Sequence, residues 1–131
     1  MLEHDYIQML IEEFTRALVP ALRRAFSDGD ITATGDLEAA ASELLGFSPE
    51  AALVLSPESL VSFAQLSNVS ESVAAYAAYA LDRAADAHAL AGDDATAEVR
   101  HEQAQALAEA FGWSLDWVPE DLADVDEELF G

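Results

Sequence analysis

The stretch from Ser70 to Phe111 constrains this chain more than any other part of it. Two alanine-rich segments flank Gly92-Asp93-Asp94. Stepping about 100° per residue along the first segment gathers Val73, Ala77, Ala80, Ala84, Ala87 and Ala91 on one helical face. Tyr76 flanks that face on one side, Leu81 and His88 on the other, and Glu71, Asp82 and Asp86 lie opposite. After Gly92 an aspartate cap restarts the chain. Val99, Ala106, Leu107, Ala110 and Phe111 are predicted to form the facing stripe, with Glu98, Glu102 and Glu109 in solvent. Side chains this small admit a neighbouring helix near the lower end of the usual ~8–10 Å separation. The expected unit is a helical hairpin of the kind that builds binding scaffolds.

Of the 131 residues, 27 are alanine, so little free energy is gained per buried residue and helix propensity must contribute instead. The length suits one domain with its own core. There is no cysteine, hence no disulfide framework and no thiolate ligand or nucleophile. Met1-Leu2-Glu3-His4-Asp5 is acidic where a signal peptide would be basic, and no apolar run approaches the ~18 residues of a membrane span. The expected setting is cytoplasmic. Twenty-six acids face five basic residues, all arginine, for a net charge of −21. Phosphate backbones and anionic membranes recruit cations, so direct binding to nucleic acid or membrane is not expected. The acids are spread through every segment. That pattern suits a solubilising or salt-adapted surface, and the alternative is a surface built for a basic partner.

The other segments also read as helices, giving an all-α bundle of about four longer and two short helices. Residues 1–30 hold the first, Tyr6 to Phe26, with Ile7, Leu10, Ile11, Phe14, Leu18, Leu22 and Phe26 in one stripe. Pro20 shares the opposite face with Arg16, Arg23 and Ser27, so a solvent-side bend is predicted rather than a break. In 36–66, Asp36 is the expected N-cap of a helix stopped by Gly46. Ser48-Pro49-Glu50 and Ser56-Pro57-Glu58 then repeat one phrase: a capping serine, proline at the first helical position and an acid in the first turn. They open short helices over about 50–55 and 58–66. Asn68 and Ser70 both suit the N-cap of the hairpin, which occupies 70–111. The remaining segment, 112–131, has seven acids, no base and both tryptophans. Its charge suits a free tail. Its pattern, with Pro119 opening a helix and Leu122, Val125 and Leu129 at helical spacing, predicts a helix over 119–129 anchored on the hairpin by Trp113 and Trp117.

With Gly92 as the inter-helix glycine, Leu81, Ala84 and Ala85 on the first helix and Ala97 and Ala104 on the second fall at packing positions of a tetratricopeptide repeat, which the hairpin resembles. His101 stands where that pattern has phenylalanine, and Glu109 where it has proline. The resemblance covers one repeat, and stacked arrays need about three. The opening helix, with Asp5-Tyr6-Ile7 and Ile11-Glu12, is similar to the start of a family of short uncharacterised bacterial proteins in which such a helix precedes a repeat-like helical region. That resemblance implies an all-helical fold and no particular activity.

Candidate chemistry is sparse. Glu98-x-x-His101 has the spacing of a carboxylate-bridged diiron helix, but that site needs a second such motif and two further glutamates. An ordinary surface pair is expected, with no metal and no cofactor. His88 and Asp86 are two residues apart and point in different directions, so His88 is expected to pack half-buried rather than act as a base. His4 sits in an end segment of the kind that frays. No nucleophile elbow or phosphate loop occurs. Tyr76 and Tyr79, three apart, are expected to mark a packing edge and, failing that, are the first candidates for an exposed aromatic contact. Arg23-Arg24, the only basic pair, is expected on a solvated face, with an anion contact as the alternative. The expected function is a non-enzymatic interaction or regulatory domain that binds a protein, including a second copy of itself. The alternatives are an acidic binder of a basic partner and, more remotely, a metal-binding helical protein.

Overall fold

The computed structural model describes residues 3–131, with side chains from Asp5 onward; Met1, Leu2 and the His4 side chain lie outside it. Seven α-helices follow in order: α1 Glu3–Phe26, α2 Ala33–Leu45, α3 Pro49–Ala52, α4 Pro57–Leu66, α5 Glu71–Leu90, α6 Asp94–Ala110 and α7 Ala123–Phe130. A 3₁₀ turn, Glu120–Leu122, leads into α7, and no strand occurs among the described residues.

Helix α5 is the axis of the bundle. Every residue from Val73 to Leu81 is buried, because α1, α2 and α6 pack around it. A helix that is apolar on all sides has no stable place except the interior. Helices α5 and α6 form the hairpin, turning through Gly92 in the left-handed region (φ 86°). Helix α4 packs on α6, α2 on α1, and α7 with its 3₁₀ turn on α1.

Local signals set most helix starts. The hydroxyls of Ser48, Ser56 and Ser70 accept from the backbone N–H groups of Ala51, Ser59 and Val73, and Asp93 accepts from Thr96 N. Each satisfies an otherwise orphaned donor. Asn68 instead takes the left-handed turn position (φ 57°) just before α5. Helix α1 runs unbroken through Pro20, which is exposed. The proline therefore costs one bond to a carbonyl on the solvent side.

Three expectations change. Asp36 is not an N-cap: α2 begins three residues earlier, after Asp30 binds Thr32 through its N (3.0 Å) and its hydroxyl (2.6 Å). Asp36 sits one turn inside, 2.6 Å from the Arg24 guanidinium. On α6 the inward residues are Gln103, Ala104, Leu107 and Ala108, while Val99 and Ala110 are exposed. The face is turned because Arg100 and Gln103 find carbonyl partners inside, which an apolar wheel does not register. The first short helix is a single turn ending at Ala52.

Candidate interaction site

Four polar side chains meet where α2, α5 and α6 converge. Glu38 accepts from Arg100 Nε, and its Oε2 lies 3.0 Å from His88 Nε2. Arg100 Nη1 donates to Leu53 O and to Gln103 Oε1, both at 3.1 Å, and Gln103 Nε2 donates to Leu55 O at 2.9 Å. Only 11% of the Glu38 and Arg100 side chains remains exposed. A charge pair this buried persists because each member is also hydrogen-bonded. Sequence reasoning missed the cluster because its members lie far apart in the chain. The one available signal was an arginine and a glutamine three apart on an otherwise alanine-rich helix. His88 is half-buried, and it faces Glu38 rather than Asp86.

The tyrosines are not exposed contacts: Tyr76 is 8% and Tyr79 5% accessible. The acidic tail covers them. Tyr76 Oη donates to Asp121 (3.2 Å), and Tyr79 Oη donates to Asp126 (2.6 Å). Arg83 bridges Asp126 at 2.7 Å and Asp86 at 2.9 Å, and its guanidinium lies 3.6 Å from the centre of the Phe130 ring. Leu122 and Val125 plug the interface beneath. Burial, reinforced by the charge of Asp121, pushes the Tyr76 phenol up to about 12. Burial and the bond to Asp126 push Tyr79 well above its usual range. The candidate anion-binding arginines are both occupied, Arg23 by Glu128 at 3.1 Å and Arg24 by Asp36. The tryptophans anchor the tail unequally. Trp113 Nε1 donates to Glu71 O at 2.8 Å, whereas Trp117 stacks on Trp113 and stays 42% exposed.

His101 lies 2.7 Å from Asp82 on α5, and Glu98 on its own helix is exposed. Among the described residues no three histidines or acids converge as metal ligands would.

The unfilled surface surrounds the amino-terminal half of α1. The apolar stripe of this helix is buried at Phe14, Leu18 and Leu22 but only half-buried at Ile7, Leu10 and Ile11, with Tyr6 and Met9 exposed beside it. The stripe outruns the core. On one side a furrow separates α1 from α2 and the α4–α5 turn. It consists of two adjoining hollows of about 150 and 230 Å³ that share Leu10, Glu43 and Leu44 in their walls. Ala17 and Ala40 line one end, and Tyr6, Ile7 and Val69 the other. On the opposite side a wider groove of about 700 Å³ lies between α1, the start of α5 and the tail. It is more polar, with Glu12, Arg16, Ser70 and Asp121 in its walls.

No described helix is long and apolar enough to cross a membrane. No protein-family model, curated protein or solved structure matches the chain.

Proposed function

We propose that this chain is a non-enzymatic helical domain that binds another protein through the furrow beside the amino-terminal half of α1. The observation that carries this reading is the overrun of the α1 stripe. Tyr6, Ile7 and Leu10 present apolar surface at a concavity that none of the described residues fills, with Met9 exposed beside it. Contiguous apolar surface of that kind marks interaction sites. A rigid support favours the same reading, since the hairpin behind the furrow is the part that resembles a scaffold repeat. The charged pair most deeply set in the fold, Glu38 with Arg100, is engaged internally, as structural groups are. The absence of cysteine suits a cytoplasmic setting.

The net charge of −21 supports a second reading, in which a basic partner is held by charge over the whole surface. The two separate in a retention experiment with the immobilised 131-residue chain and a Leu10→Asp variant of unchanged helicity. Partners should stay bound at high salt and be lost from the variant. Retention that vanishes at high salt and ignores Leu10 would favour the charge-only reading.

A further inference from the structure

We infer that the occupant of the α1–α2 furrow is a basic amphipathic helix from another protein, an inference that rests on the furrow being the binding site. Its floor is apolar, built from Ile7, Leu10, Leu44 and Val69, and Ala17 and Ala40 leave room for a neighbouring backbone to come close. From Tyr6 to Ala17 the furrow follows α1 for about 16 Å, at about 1.5 Å per residue. That is about three turns of a second helix, enough for anchors at i, i+3, i+4 and i+7.

The walls carry one sign of charge. Glu13 projects from α1 and Glu43 from α2, and no basic residue lines either hollow. Neither carboxylate joins an ion pair among the described residues, whereas Arg23, Arg24, Arg83 and Arg100 are all paired with acids. The opposite groove differs: Arg16 follows Glu12 by one turn there and offsets it. A second copy of this chain is a poor occupant, because it would bring another net charge of −21 and no basic helix. Lysines or arginines flanking an apolar stripe would meet Glu13 and Glu43 while the stripe fills the floor.

The test uses the 131-residue chain and three synthetic peptides of about 14 residues, roughly four turns each. One has a leucine stripe on a lysine background, one is its scrambled isomer, and one keeps the stripe on a glutamate background. Binding is followed at about 0.15 M salt by backbone amide chemical shifts. The lysine stripe peptide should shift amides of Tyr6–Ala17, Ala40–Gly46 and Ser67–Val73, and bind at least about tenfold tighter than its scramble. Ala17→Trp, an exposed position where the new ring would fill the furrow, should remove that binding, as should Leu10→Asp. The double variant Glu13→Gln, Glu43→Gln should weaken it several-fold and flatten its salt dependence. Shifts spread over the acidic faces of α5 and α6, or equal binding by the scramble, would overturn the inference. Equal seating of the glutamate peptide in the furrow would overturn the partner's charge while leaving the interaction reading standing. No furrow shift with any peptide would overturn the inference, and the retention experiment with Leu10→Asp would then decide the reading separately.

Discussion

Arg100 and Arg83 each hold a part of this protein in place, and they do it in different surroundings. Arg100 lies inside the bundle, where its donors serve Glu38, Gln103 and the carbonyl of Leu53. Arg83 lies at the margin, sharing Asp126 with Tyr79 and covering Phe130, with 20% of its side chain exposed. The first ties α2, the α3–α4 link and α6 together, so its loss is felt by the whole fold. The second ties only the tail to α5. A buried ion pair surrounded by fixed acceptors behaves as part of the core, while a similar pair at an edge behaves as a latch.

The largest effect is therefore expected at Arg100. Arg100→Ala leaves the buried Glu38 carboxylate with His88 alone and the Leu53 carbonyl with only the longer Gln103 bond, and should cost roughly 3–5 kcal/mol in denaturant unfolding. Lysine should rescue little of this, because one ammonium cannot reproduce the planar set of donors. A loss below about 1 kcal/mol would place the pair in the class of exposed bridges and remove the contrast with Arg83. Leu81→Ala and Phe14→Ala, both in the core, give the scale for comparison at about 2–5 kcal/mol each.

Arg83→Ala should cost less, on the order of 1–2 kcal/mol, and the loss should be local. Amide exchange should quicken over Ala123–Phe130 while Val73–Leu81 stays protected. Uniform quickening would mean that the tail belongs to the same cooperative unit as the bundle.

Alkali probes the same latch. The folded state raises both tyrosine pKa values, that of Tyr76 from the usual 10 to about 12. The stabilisation is thus fully present below pH 10 and lost as pH climbs through 12. Tyrosinate absorbance should lag behind that of free tyrosine, and the tryptophan emission of the tail should change together with it. Ionisation of all tyrosine near the free value would show that the tail does not cover Tyr76 and Tyr79.

Salt should produce the smallest change. With 26 acids and five arginines, raising ionic strength to about 0.15 M should lift the thermal midpoint by a few degrees through screening of self-repulsion. A lower midpoint would mean that the exposed pairs Arg23–Glu128 and Arg24–Asp36 outweigh that repulsion.

Much of the fold was legible because its causes are local. Ser48, Ser56, Ser70 and Asp93 cap helices through bonds spanning three residues, a distance a linear reading covers. The α1 stripe is periodic and equally readable; the periodicity of α5 gave one alanine face, but not that Ala74, Ala75, Ala78 and Tyr79 on its other sides are buried too. What escaped depends on long separations. The face of α6 was misread because Gln103 is satisfied by carbonyls about 50 positions earlier, and the acceptors that fix Tyr76 and Tyr79 at their packing edge escaped because they lie in the tail. The apolar plugs of the tail, Leu122 and Val125, were legible from their helical spacing despite its charge. The furrow was half legible. The stripe at Ile7 and Leu10 could be seen, but not that the core stops short of it.

The burial of α5 on every side has a further consequence, for how the chain can change over time. Adding one residue between Val73 and Leu81 would swing everything after it by about 100° around the helix axis, and no side of this helix could absorb the misfit. Its length is frozen. The link from Phe111 to Val118, between α6 and the 3₁₀ turn, is held at Trp113 but carries no helical phase from one end to the other. Insertions and deletions in descendants of this sequence should collect in that link and be missing from the central helix, even where the individual alanines drift.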